Sequence, residues 1–305
     1  KNRDRSISHI LTDSVRGETK TLRSELSNEE ITNTNDLKSF DSNGFTVGSN
    51  TRVNYSNEDF VAWCFNAGTD AAAQNTDGTI ESTVKANAGF SIVEYTGNGS
   101  TSTQSVGHGL SSAPELIIQK STTTLTTYGT NNWVVGGTAL GAGGYMFLNT
   151  TAAKGTADYW GSTLPDDSVF YISGDAQRIH NENNGVFINY CFHSVDGIQK
   201  VGSYQGNGST TGNFVETGFE PAFVMIKRID AAGFWVLLDN DRSQSNPRNN
   251  ALYANAANAE STAQAINFYS NGFQPVTVDS DVNASGTYIY LAIAADPDTT
   301  IKNRV

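Results

Sequence analysis

The stretch Tyr95-Thr-Gly-Asn-Gly-Ser-Thr101 returns later in the chain as Tyr204-Gln-Gly-Asn-Gly-Ser-Thr210. The residues after each copy match as well. Downstream of the first come Val106-Gly-His-Gly-Leu110, Pro114 and the apolar run Leu116-Ile-Ile118 ending at Lys120. Downstream of the second come Val215-Glu-Thr-Gly-Phe219, Pro221 and Phe223-Val-Met-Ile226 ending at Lys227. The spacing from Pro to Lys is the same in both, so the chain contains an internal repeat. A repeat of this length means that the fold is built from stacked copies of one unit.

The repeat has a second half. Residues 40–48 read FDSNGFTVG and are followed by Phe60-Val-Ala-Trp-Cys-Phe65; residues 268–276 read FYSNGFQPV and are followed by Tyr288-Ile-Tyr-Leu-Ala-Ile293. The middle copy has Val169-Phe-Tyr-Ile-Ser-Gly174 and then Phe187-Ile-Asn-Tyr-Cys-Phe192. Each reads as a short apolar strand, a polar turn and a longer aromatic-rich strand. Between the halves, Trp133-Val-Val135 matches Trp235-Val-Leu237, and His9-Ile-Leu11 stands in the same place near the start. Asp13 and Arg16 match Asp239 and Arg242 at equal spacing.

These landmarks divide the chain into a partial module at 1–69, a small and polar stretch at 70–87 read as a linker or long loop, full modules at 88–195 and 196–297, and a tail at 298–305. Seven or eight short strands in about 100 residues, with turn signals every 8–12, predict an all-β fold. The expected architecture is a row of jelly-roll-like β-sandwiches. In Gly89-Phe-Ser-Ile-Val-Glu-Tyr95, the residues Phe90, Ile92 and Tyr95 cannot share one face, which calls for a bulge or a strand buried on both sides.

Composition agrees with this reading. Only 16% of the 305 residues are charged, and aromatic residues are frequent. The net charge of −12 argues against nucleic acid as the main partner, because phosphate binding needs clustered Lys and Arg. No run of about 18 apolar residues predicts insertion into a membrane. Two cysteines cannot make a disulfide scaffold. Cys64 and Cys191 fall at one module position, with Ala292 as its third member, so a small buried side chain and free thiols are expected there.

Chemistry is hard to find. The Gly-Asn-Gly-Ser-Thr turns join strands and lack the helix and Lys of a phosphate loop, so they read as turns that exploit positive φ. His9, His108, His180 and His193 stand at no metal-ligand spacing, and His9 reads as a packing substitute for Trp. Asp239-Asn-Asp241, Asp279-Ser-Asp281 and Asp166-Asp167 lack the spacing of a calcium loop and read as solvated turn acids. No Gly-x-Ser-x-Gly elbow occurs. The expectation is no catalytic residue, no metal and no cofactor. Tyr128, Tyr159 and Trp160 are the candidates for a glycan contact, weighed against Trp160 packing at a module edge.

The combination of FDSNGFTVG (40–48), FVAWCF (60–65), YTGNGST (95–101), VGHGLSSAPELIIQK (106–120), FINYCFHSVDG (187–197), PAFVMIKR (221–228) and SNGFQPVTVD (270–279) resembles the tandem β-rich modules of tail-fibre-like virion proteins of marine bacteriophages. The resemblance implies a structural part in the virion, on a tail fibre or appendage involved in host attachment. It implies homo-oligomers, a trimer first, with other virion proteins and a host surface glycan as partners. It carries over no catalytic residue. A carbohydrate-binding adhesin is the second reading and a glycan depolymerase the third.

The first module lacks counterparts of the strands expected at 89–96 and 114–120. Lys1-Asn-Arg-Asp4 aligns with Lys227-Arg-Ile-Asp230, so a gap in this module is expected to need cover. Chain upstream of Lys1, or a strand donated by a neighbouring chain through the tail at 298–305, would each supply it.

Overall fold

The structure is a computed structural model that describes residues 1–126, 131–174 and 178–295. Its described residues are nearly all β, with two single-turn 3₁₀ helices at Thr138–Leu140 and Arg178–His180. The second module builds one large antiparallel sheet. Its strand order is Gly155–Thr156, Gly144–Phe147, Val134–Gly136, Leu116–Ser121, Val186–Phe192, Phe90–Thr96, Ser82–Ala86 and Ala73–Asn75. The third module repeats the central part of that order: Leu252–Tyr253, Trp235–Asp239, Pro221–Arg228, Gly286–Ala294 and Gln199–Gly206.

Each large sheet carries a smaller one on its outer face. In the second module Gln104–Gly107 pairs with Val169–Ile172, and in the third Val215–Glu216, Gly272–Pro275 and Ile266–Tyr269 form three strands. Phe170 lies opposite Val106 as Phe273 lies opposite Val215, so the small sheets are equivalent as well. The sandwich expected from strand count and turn spacing is present in both modules.

Strand faces explain the sequence pattern that period-2 alternation could not. In Phe90–Thr96 the side chains of Phe90 and Ile92 join one core, while Val93 and Tyr95 join another. The strand is buried on both sides and contains no bulge in its pairing. The same split holds for Trp235 and Leu237 against Val236 and Leu238, and for Ile289, Leu291 and Ile293 against Tyr288, Tyr290 and Ala292. Outward faces pack on the module's own small sheet. Inward faces of the second and third modules meet in one core, to which Leu22 of the first module also belongs.

Residues 70–87 are a correction to the sequence reading. The stretch expected as a linker or long loop supplies Ser82–Ala86 and Ala73–Asn75, the last two strands of the sheet beyond Phe90–Thr96, of which Ala73–Asn75 is the edge. Its Val84 and Ala86 pack on the outer core of the second module. Small, polar composition misled here because an edge strand needs only one apolar face.

Among the described residues the first module forms only two-stranded sheets. Its hairpin Leu37–Asp41 and Gly44–Val47 corresponds to Ile266–Tyr269 and Gly272–Pro275. Phe40 and Phe45 are 46% and 41% exposed, whereas their equivalents Phe268 and Phe273 are 3% and 0% exposed. The segment Phe60–Phe65, expected as a strand, is extended but unpaired apart from the bridge of Phe60 with Asn2. Val61, Trp63 and Phe65 still turn inward onto the shared core. Cys64 points the other way and is exposed, which corrects the expectation that its small side chain is buried like that of Cys191. Among the described residues no strands flank Cys64 as Phe90–Thr96 and Leu116–Ser121 flank Cys191.

Both cysteines are free, and burial pushes the Cys191 thiol up to about 12. A thiol reagent at neutral pH should therefore label Cys64 in the native protein and leave Cys191 untouched. Because the modules share a core, Cys191 should become reactive in a single denaturant transition that coincides with loss of tryptophan fluorescence signal. Labelling of Cys191 ahead of that transition would show that the modules open independently.

Candidate functional site

The polar chemistry of the molecule concentrates where the modules meet. Leu11, Val135 and Leu237 pair with Leu22, Met146 and Leu252, which sets the three modules in a common register. Two residues before each first partner stand His9, Trp133 and Trp235, all buried. The Trp133 indole donates to the Arg23 carbonyl of the first module (2.8 Å), and Trp235 to the Phe147 carbonyl of the second (3.1 Å). The His9 ring nitrogen Nε2 lies 2.9 Å from the Tyr253 carbonyl of the third. Arg23, Phe147 and Tyr253 are equivalent residues, so the contacts run from second to first, third to second and first to third. The ring closes with pseudo-threefold symmetry inside one chain.

Three further contacts obey the same cycle. The Lys120 ammonium donates to the Ser27 carbonyl (3.0 Å) and to that of Asn131, Lys227 to Thr151 (3.3 Å), and Lys1 to Ala257 (2.9 Å). The main-chain N–H groups of Glu30, Lys154 and Glu260 donate to the carbonyls of Thr122, Ile229 and Arg3 at 2.8–3.0 Å. The Tyr190 hydroxyl donates to Asp13 (2.8 Å), and the Trp63 indole to Asp239 (3.0 Å). At the third seam these partners are Leu291 and Gly137, so both sides have lost their polar group together. A carboxylate at 137 would have had no donor to meet.

Asp13 and Asp239 are held alike. Arg16 Nε lies 2.6 Å from Asp13 and its Nη1 3.1 Å from Glu30; Arg242 Nε lies 2.6 Å from Asp239 and its Nη1 2.9 Å from Glu260. Glu260 also takes Arg3 of the first module at 2.9 Å, which ties the closing seam. These buried ion pairs have every charge partnered, the condition under which a buried pair is tolerated.

The repeated Tyr-x-Gly-Asn-Gly-Ser-Thr motif is a locked turn. Gly99 and Gly208 adopt φ near +67° and +66°. Asn98 and Asn207 each accept from the N–H two residues on, at 2.9 and 3.0 Å. A second asparagine closes each turn: Asn181 accepts from the Asn98 N–H, and Asn283 from the Asn207 N–H. The Tyr95 and Tyr204 hydroxyls donate to the carbonyls just before those asparagines, both at 2.6 Å. The N–H groups an anion would need are therefore engaged, which upholds the turn reading over a phosphate loop. Asn181 and Asn283 escaped sequence reasoning, although both stand shortly before the last strand of their module.

The residues named for glycan contact are not brought together at the surface. Trp160 is buried against Phe170 and His180, and its ring fills the space where Gly136 lacks a Cβ. Its face is not available for stacking. Tyr159 is half-buried, packed on Tyr145 with centroids 4.3 Å apart. Tyr128 lies outside the described residues. Among the described residues no group of three or more His, Cys, Asp or Glu is placed to hold a metal ion.

Burial sets the protonation of the seams. It holds Lys120 down to about 7, and Lys227 and Lys1 to about 8. Burial, helped by the nearby positive charge of Lys1, lowers His9 to about 3. Each of these groups binds a proton more weakly folded than unfolded, so stability must rise with pH through its window. For His9 the contribution is complete above about 6.5 and is lost as pH falls toward 3. For the lysines it grows from about 7 to about 10.5. The melting temperature is expected to climb from pH 4 to pH 9, and His9→Trp, which keeps a donor for the Tyr253 carbonyl, should make the acid limb shallower. Burial lowers His180 to about 3 as well, so the comparison decides: an acid limb of equal slope in wild type and His9→Trp would contradict the placement of His9.

Trp235→Ala removes both a core ring and a seam donor. It should destabilise the protein by roughly 3–5 kcal/mol in denaturant unfolding, the range for aromatic-to-Ala core changes. An unmoved midpoint would mean that the seam between the second and third modules contributes nothing.

No curated protein and no solved structure matches the chain. One family model does, over residues 1–297, so that it spans all three modules and every seam between them as one unit. The chain belongs to that family, the domain of unknown function DUF7483.

Proposed function

We propose that this chain is a non-catalytic structural component of a bacteriophage virion, carried on a tail fibre or appendage that takes part in host attachment. The observation that carries the reading is the closed ring of three repeats about one shared core. Its buried donors and ion pairs are spent on holding modules together, which suits a part that must transmit force and keep its shape. The tandem motifs that resemble tail-fibre-like virion proteins point the same way. The net charge of −12 suits a particle surface exposed to solvent rather than a nucleic-acid partner.

The ring changes what the expected homotrimer contributes. One chain already has three modules about an axis, so further copies add avidity for a surface more than stiffness. Other virion proteins are its structural partners in this reading, and the extracellular particle is its location.

Antibodies raised against the purified chain test the proposal. On intact phage particles of the source they are expected to decorate a tail fibre or appendage by immuno-electron microscopy, and peptides of the chain should be found in the purified particle. Particles that neither bind the antibody nor yield those peptides would sink the reading.

A further inference from the structure

We infer that Phe214 and Tyr269 form a carbohydrate-binding site on the outer sheet of the third module, with a neutral hexose unit of a surface glycan as its ligand. The two rings are 46% and 39% exposed, and their centroids lie 5.9 Å apart with planes inclined at 58°. They make a shallow open V on the surface, formed where the chain enters Val215–Glu216 and where Ile266–Tyr269 turns into Gly272–Pro275.

Both rings are held in place before any ligand arrives. Phe214 lies over Gly272 and against Tyr269; a Cβ at 272 would clash with the Val215 carbonyl oxygen and meet the Phe214 Cζ at 2.8 Å, so both the strand pairing and the ring use the space that glycine leaves. The Tyr269 hydroxyl accepts from the Asn267 amide at 3.1 Å and is 3.3 Å from the Gln274 amide oxygen. Fixed aromatic faces stack on the C–H face of a pyranose at little entropic cost. Asn267 and Gln274 bond the Tyr269 hydroxyl and border it with neutral amides, the kind of group that hydroxyls of an uncharged sugar require.

The fold does not need either ring. By the registers of the small sheets, Phe214 corresponds to Ser105 of the second module and Tyr269 to Asp41 of the first. In the first module Asp41 accepts from Ser39 and Thr46, the equivalents of Asn267 and Gln274, so the same local network is complete without an aromatic residue. Two exposed rings added at positions where packing asks for none point to a ligand. The patch is far too small for a stable protein interface, which buries about 800 Å² on each partner, but it matches one or two sugar rings.

The inference does not depend on where the chain sits in a particle, and its test is made on the purified protein. The probes are an array of neutral gluco-, galacto- and manno-oligosaccharides, followed by titration calorimetry with the best binder. Wild type is expected to bind at least one of them. Phe214→Ser and Tyr269→Asp borrow residues that equivalent modules already carry, so they should fold with an unchanged melting temperature. Each should weaken binding about tenfold, and Tyr269→Phe, which keeps the ring, should stay within about threefold. No binding across the array, or binding that survives both substitutions in folded protein, would overturn the assignment and leave the virion reading to its own test.

Discussion

A β-sheet that is apolar on both faces has to be covered twice, and this requirement organises the molecule. The large sheets of the second and third modules put one row of side chains, such as Val236 and Leu238, under their own small sheet. The opposite row, Trp235 and Leu237, has no partner within the module. It is covered by the inward faces of the other two modules. The two sheet faces and the inward side chains of the first module, Leu22, Val61, Trp63 and Phe65, share one core, so removal of any module would expose apolar surface of the other two.

The seams show how that geometry handles polar groups. Water is excluded where the modules meet, so each buried donor must find an acceptor on the neighbour or cost about 1–3 kcal/mol. The same carbonyls serve in every module: those of Arg23, Phe147 and Tyr253 for the ring nitrogens, and those of Ser27, Thr151 and Ala257 for the lysines. Backbone acceptors are independent of side-chain identity, which explains why His9 can stand in for a tryptophan. Side-chain acceptors are not, which explains why the position of Tyr190 and Trp63 is Leu291 in the third module while the position of their aspartate partners is Gly137 in the second. Two of the three seams join modules consecutive in the chain. The closing seam joins the first module to the last, and there Glu260 bridges arginines of both, Arg3 and Arg242.

Departures from the repeat then sort by burial. Inside, a change in one module is matched across the seam. On the surface it is free, and the rings of Phe214 and Tyr269 stand where sister modules have Ser105 and Asp41. A structural part whose interior is committed to holding three modules together can take on recognition only at such positions. The proposed virion role and the proposed glycan site would occupy the two sides of that division.

Much of this was legible in the residues alone. Turn motifs at equal spacing, paired short and long strands, and the Trp and Asp–Arg landmarks determine the repeat, the all-β class and the sandwich, because they are local and periodic properties of a strand and its turn. The conflict of Phe90 and Ile92 with Tyr95 already required a strand buried on both sides or a bulge. Only the tertiary structure decided between them, and what lay on the second side. A sequence places Trp133 and Trp235 in equivalent slots but does not say that their acceptors belong to another module, since hydrogen bonds to backbone carbonyls leave no mark on residue type. It likewise could not distinguish the buried Trp160 from the exposed Tyr269, or the exposed Cys64 from the buried Cys191, because burial depends on which strands arrive from elsewhere to cover a face. The polar stretch 70–87 became the last two strands of the sheet for the same reason: pairing is granted by the neighbouring strand Phe90–Thr96, and composition records only that one face meets solvent.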